Sequence, residues 1–365
     1  MSKYLLCLLR AHILISIAVA LSSCTESPPL VDIKMQQTEN VSPVNETKRL
    51  TKLGEDILDY CFPDSNEGEK SEESTRKLRD KVIWGADNRH DYFCIQDEGK
   101  RNLAGSSVAL VSDSFVDERD PTRIKLLTST FGTRKRLCSF ERFSEQIVVP
   151  YCSGALVSHN TVLTAGHCVE DDAKAQKTKF IFGYKKLEYD KPATTVFSLD
   201  QVYSGKSVLA REKKENGSDW ALIKLDRSVD PQIAVPAEFD TNKNLNKNDS
   251  IFVIGYPSGL PLKLTDSARV LDTNGNEPYF FADLDTYGGN SGSPVFEEKT
   301  GMIVGVLVRG EEDFVPCEKS KCFQENTCNC NVPCRVSNIC TKKSCEGEDV
   351  MKLTKIRKID DLQLE

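Results

Sequence analysis

Histidine is scarce in this sequence, with four among 365 residues, so imidazole chemistry has few places to arise. An excess of positive charge is also missing: 48 Lys and Arg stand against 55 Asp and Glu, for a formal net charge of −7. That excludes nucleic acid as the main partner, because a phosphate backbone selects a basic face. The apolar run Ile13–Leu21 is too short to span a bilayer, and charged residues at 28% exclude a multi-span membrane protein. No two cysteines have the C-x-x-C spacing of a zinc ribbon, and there is no solenoid repeat.

Cysteine itself is plentiful, at 14 residues, which is high for a reducing cytosol. The N-terminus explains part of it. Lys3 and Arg10, the run Ile13–Leu21 and small residues after it describe an export signal over residues 1–23. Leu21-Ser22-Ser23-Cys24 resembles the lipobox of bacterial lipoproteins, which implies lipid on Cys24 and a membrane contact through that anchor alone. An ordinary signal peptide with an incidental cysteine is the other reading. Both lead to an oxidising compartment, at the cell envelope or beyond it.

Residues 24–81 are polar, with Ser27-Pro28-Pro29 and an acidic run near Glu73, and read as a tether or propeptide. Leu50, Leu53, Ile57 and Leu58 fall near helical spacing and predict a short amphipathic helix. From about Gly105 the chain becomes a series of short β signals separated by turn residues. Six runs precede the loop Asp226–Lys247 and six follow it. The expectation is an all-β protein of two barrels or sandwiches, divided as 82–228 and 229–365.

Of the histidines, His12 lies in the signal and His159 in a turn. His167 closes Thr161-Val162-Leu163-Thr164-Ala165-Gly166, a strand running into small residues, and precedes Cys168. A bond between Cys168 and Cys152 would fix the base of that loop and hold the imidazole still, as a general base requires. Gly288-Gly289-Asn290-Ser291-Gly292 offers a serine nucleophile on a sharp turn. The Gly289 and Ser291 N–H groups can aim at one point, as an oxyanion hole needs. Asp219, leading into the strand Trp220–Leu225, supplies an orienting carboxylate.

Together these segments resemble trypsin-like serine peptidases. Thr164-Ala165-Gly166-His167-Cys168 and Asp219-Trp220-Ala221-Leu222-Ile223-Lys224-Leu225 match that family's histidine and aspartate motifs. Gly289-Asn290-Ser291-Gly292-Ser293-Pro294 matches the serine motif as it stands in the bacterial glutamyl-endopeptidase-like branch, and Val82–His90 resembles the mature start of that branch. The resemblance implies a chymotrypsin-like fold of two six-stranded antiparallel β-barrels with the active site between them. It implies a protein-cleaving serine endopeptidase working through His167, Asp219 and Ser291 without cofactor or metal, expected as a monomer. Asn290 replaces the aspartate that pairs with a new N-terminal ammonium in trypsin, so activation by that ion pair is not expected. Cleavage at Lys81–Val82 is the candidate processing step. A non-catalytic, peptidase-like binding protein at the cell surface is the alternative function.

For the substrate pocket, the resemblance points to Asp285, Thr286, Leu307 and Gly310. Asp285 stands where trypsin carries a pocket carboxylate, which predicts preference for Arg or Lys before the scissile bond. Leu307 replaces the pocket histidine of the glutamyl branch, which argues against glutamate. The competing reading pairs Asp285 internally, with Arg309 for example. Seven cysteines between Cys317 and Cys345 predict a disulfide-stapled insertion before the last strand, with a metal cluster as the alternative. Their odd number requires a partner outside, at Cys61, Cys94 or Cys138.

Overall fold

A computed structural model describes residues 43–62, 87–215, 217–310, 312–317, 321–325, 347–356 and 359–360. The chain divides into two units, residues 1–53 and 54–365. Cys24, the Val82–Ala86 stretch and the cysteines from Cys328 to Cys345 lie outside the described residues. No helix among the described residues is long and apolar enough to cross a membrane.

Helix α1 spans Pro43–Cys61, longer than the spacing of its leucines predicts. Strand β1 is Arg89–Asp91. The first barrel consists of β2 (Ser107–Ser112), β3 (Cys152–Ser158), β4 (Thr161–Thr164), β5 (Thr178–Phe182), β6 (Val202–Lys213) and β7 (Asp219–Leu225). It closes in the order β6-β7-β4-β3-β2-β5. The second consists of β8 (Ser250–Gly255), β9 (Lys263–Asp272), β10 (Tyr279–Ala282), β11 (Pro294–Glu297), β12 (Ile303–Arg309) and β13 (Glu348–Lys352). Its order is β9-β8-β11-β12-β13-β10, closed by pairing of β10 with β9. All pairings within the two barrels are antiparallel.

The strands follow from composition. β3 and β4 are buried along their whole length, on both faces of the pleat. Such strands need continuous apolar or small residues rather than alternation. Val108, Leu110, Leu156 and Phe180 fill the first barrel, and their cluster continues through Tyr256 and Val306 into the second. Ile251, Val253, Phe280 and Val295 fill the other side of the second barrel. Each such side chain contributes about 1.5–3 kcal/mol on burial.

Two features correct the sequence reading. The boundary at residue 82 assigned Arg89–Asp91 to the first barrel, but β1 pairs with Lys263–Thr265 on β9 of the second. β1 is three residues long and charged, so no apolar pattern announces it. Second, the apolar run Thr195–Val202, read as one strand, is a short strand Val196–Ser198 and a 3-10 turn Leu199–Gln201, and β6 begins only at Val202 and runs to Lys213. Its outer half alternates between exposed and half-buried residues alongside β7.

Three disulfides tie the described residues: Cys61–Cys94, Cys138–Cys322 and Cys152–Cys168. Cys322 therefore finds its partner outside its own cysteine cluster. It sits beside the small hairpin of Phe314–Pro316 and Phe323–Glu325.

Candidate active site

His167 lies on the turn leaving β4, and Asp219 opens β7, the strand paired with β4. The two are joined twice. Asp219 Oδ1 accepts the His167 main-chain N–H at 3.0 Å, and Oδ2 lies 2.9 Å from His167 Nδ1. Asp219 has no exposed side-chain surface, while His167 keeps 35%. Burial alone would raise the Asp219 carboxyl; hydrogen bonds and charge from His167 and Lys213 overcome it and bring it down to about 2. The carboxylate is therefore ionised at neutral pH.

Ser291 sits on the turn between β10 and β11 and reaches the histidine loop through its main chain. Its carbonyl accepts the Ser153 N–H at 2.9 Å. Ser153 neighbours Cys152, whose sulfur is bound to Cys168 next to His167. Gly292 makes this approach possible: a Cβ there would lie 2.1 Å from Ser153 O and 2.2 Å from Thr164 Oγ1, and its φ is +89°. Gly289, at φ +102°, packs on the main chain of Tyr256 and Ser258. Among the described residues, the N–H groups of Gly289 and Ser291 meet no acceptor. Asn290 is buried and its Oδ1 accepts the Ser293 hydroxyl at 3.3 Å. Cys152, His167 and Cys168 bring donor atoms within 4.8 Å of one another, but the two sulfurs are spent on their disulfide.

A cavity of about 230 Å³ opens beside Ser291. Leu307 and Gly310 line it, along with Glu348, Glu312, Asp313 and Arg309. Asp285 is not among the lining residues. It is buried, and its Oδ2 accepts the Asn88 N–H at 2.9 Å. Thr286 donates its hydroxyl to Glu348 Oε2 at 2.6 Å. Gly310 leaves space for that carboxylate, since a Cβ there would meet Glu348 Oε2 at 2.1 Å. Arg309 pairs with Asp349 at 2.7 Å. Asp313 accepts the Gly288 N–H at 2.8 Å, and burial pushes its carboxyl up to about 6.

Sequence reasoning missed the support beneath this loop. Arg89 is wholly buried, 2.7 Å from both Asp87 and Glu325, with its guanidinium 4.2 Å from the Tyr287 ring centre. Tyr287 OH in turn donates to Glu325. Next to it, Lys263 meets Asp91 at 2.6 Å in a buried pair. The segment Asp87–Asp91 thus braces residues 285–288 from below. In the sequence these are charged residues between the apolar stretches Val82–Trp84 and Tyr92–Ile95, a pattern that gives no sign of a buried arginine.

Residues 152–306 match the family model of the trypsin-like peptidase domain. The glutamyl endopeptidase of Staphylococcus epidermidis is 28% identical over 167 residues, covering 44% of this chain and 55% of that protein. The glutamyl endopeptidase of Staphylococcus aureus (strain MRSA252) is 31% identical over 159 residues, covering 41% of each. The chain thus spans about half the length of the curated relatives it matches. Among solved structures, Vibrio cholerae VesB protease aligns with a TM-score of 0.42 at 13% identity, over 74% of this chain and 65% of that one. The resemblance to a trypsin-like peptidase domain thus runs over residues 152–306. Within that class, the relatives named here are glutamyl endopeptidases.

Proposed function

We propose that this protein is an exported serine endopeptidase that cleaves proteins through His167, Asp219 and Ser291. One observation carries the reading: Asp219 holds His167 at both its main chain and its Nδ1, and the Ser291 turn docks on β3 beside the disulfide that ties that strand to the histidine loop. With Nδ1 committed to Asp219, Nε2 is left to accept the Ser291 proton as the hydroxyl attacks the scissile carbonyl. The same nitrogen then returns that proton to the leaving amine. Negative charge on the tetrahedral oxygen is met by the N–H groups of Gly289 and Ser291. Water repeats the sequence on the acyl-enzyme. A serine-directed fluorophosphonate probe tests this. It should label the processed protein and fail on Ser291→Ala; absence of labelling, or labelling that survives the substitution, would sink the reading.

For specificity, the acidic lining of the cavity beside Ser291 favours Arg or Lys before the scissile bond. Glu348, held by Thr286 and lodged against Gly310, is the carboxylate best supported for that contact. The relatives' name points instead to glutamate. Peptides differing only at that residue separate the two: higher kcat/KM for Arg than for Glu is expected, and equal rates would remove the pocket argument.

Export and anchoring through Cys24 belong to the same proposal. Mass spectrometry of the mature N-terminus would read the lipid and any cut near Val82 together.

A further inference from the structure

We infer that Lys213 is a positioning residue of the proposed triad, its ammonium holding the Asp219 carboxylate and governing how readily His167 takes up a proton. The inference rests on the triad reading given above. β6 extends past the closed part of its barrel, and its last residue lies directly across from Asp219 in the ladder. Lys213 Nζ reaches Asp219 Oδ2 at 2.9 Å, the same oxygen that faces His167 Nδ1. Oδ1 is occupied by the His167 main-chain N–H. Three donors therefore converge on one buried carboxylate.

The same strand end also holds the histidine loop. Arg211 Nε donates to Gly166 O at 2.6 Å. A Cβ at Gly166 would lie 2.6 Å from Glu212 O, so strand and loop are in direct contact. β6 thus grips both the aspartate and the residue before the histidine.

Charge decides what the lysine adds. Asp219 alone would stabilise an imidazolium strongly, because an opposite charge at contact distance favours the ionised form. A second cation on the same carboxylate offsets that attraction. The cluster of Lys213, Asp219 and His167 is neutral when the imidazole is neutral, and carries +1 when it is protonated. Without the lysine the corresponding charges are −1 and 0. The lysine therefore offsets the pull of Asp219 on an added imidazole proton. The other charged groups facing this cluster do not reverse the sign. Arg211 adds positive charge from β6, and Glu212 is paired with Lys214. From the second barrel, Arg309 donates to Gly217 O at 3.3 Å while pairing with Asp349. The histidine loop contributes the non-titrating Cys152–Cys168 disulfide, and the turn 289–293 has no ionisable side chain.

The test is the pH profile of kcat/KM for Lys213→Met and Lys213→Arg. In Lys213→Met the acid limb should move up by about half to one pH unit, an exposed lysine being partly screened. Lys213→Arg should leave it in place. An unmoved limb in an active Lys213→Met enzyme, with or without a fall in kcat, overturns the inference. The downfield proton resonance of His167 Nδ1–H gives the same titration without turnover. Its movement in Lys213→Met, in a protein with no peptidase activity, would sink the triad reading and keep the lysine's hold. A resonance that does not move sinks the lysine's role in either case.

Discussion

Asp219 grips His167 at two points, its side chain spanning from the main-chain N–H at 3.0 Å to Nδ1 at 2.9 Å. The carboxylate therefore fixes the loop's backbone and the ring's tautomer with one group. Asp219→Asn preserves the size but offers an amide where a donor must be accepted. Peptidase activity should fall by about 10⁴-fold, as when a triad carboxylate is neutralised. Stability should change with pH in a defined way. A carboxyl held at about 2 when folded and near 3.8 when unfolded gives stability that is full above pH 4 and is lost as pH falls toward 2. Acid denaturation of the wild type should show that loss, and the asparagine variant should lack it.

Asp313 titrates in the pocket. Its carboxyl is raised to about 6, so it is neutral in mild acid and charged at pH 7 and above. If Arg and Lys substrates bind there, preference for them over a neutral side chain should strengthen as pH rises through about 6. The ratio of kcat/KM for an Arg peptide to that for a norleucine peptide removes the shared contribution of His167. Asp313→Asn should flatten the ratio. A ratio independent of pH in the wild type would exclude Asp313 from the substrate contact. The sign for stability is opposite to that of Asp219. A raised carboxyl favours the folded state when protonated, so this contribution declines as pH rises from 4 to 6.

Arg89 ties the segment Asp87–Asp91 to the base of the Ser291 turn. Arg89→Met would remove the cation shared by Asp87 and Glu325, leaving Asp87 to Arg142 and Glu325 to the Tyr287 hydroxyl. Removing one partner of a buried charge cluster costs about 3–5 kcal/mol. Urea unfolding should register that loss. Activity should fall too, because Tyr287 and Gly288 lose their support beneath Gly289. Full activity at unchanged stability would show that the brace is idle.

How much of this was legible beforehand follows from the range of each interaction. His167, Asp219 and Ser291 stand in local motifs whose glycines and flanking strands carry their own signal, so the sequence marks them without knowledge of the fold. Eleven of the twelve barrel strands are legible for the same reason, being short apolar runs between turn residues; β6 is the exception. Lys213 is not. It ends a strand whose outer half alternates with charged residues, and only the register with Asp219 gives it meaning. Arg89 is equally silent, because its partner Glu325 lies 236 positions away. Asp285 shows the limit most clearly. Its place in the motif suggested a pocket carboxylate, yet its Oδ2 accepts an N–H from Asn88, 197 positions earlier. Disulfide pairing has the same character, with Cys138 and Cys322 separated by 184.

The Cys152–Cys168 bond lends itself to a separate test of rigidity. It closes a loop with a sequence separation of 16, and a cross-link of that span contributes about 3 kcal/mol. The double variant Cys152→Ala, Cys168→Ala should lose roughly that much in urea unfolding. The site should respond in its own way. Cys168 adjoins His167 and Cys152 adjoins Ser153, whose N–H holds the Ser291 carbonyl. Loosening both ends frees the histidine loop and the serine turn relative to each other, so kcat should fall while KM for a short peptide changes little. A variant that is less stable but catalytically intact would show that the two loops are positioned by Gly292 and the barrel ladders alone.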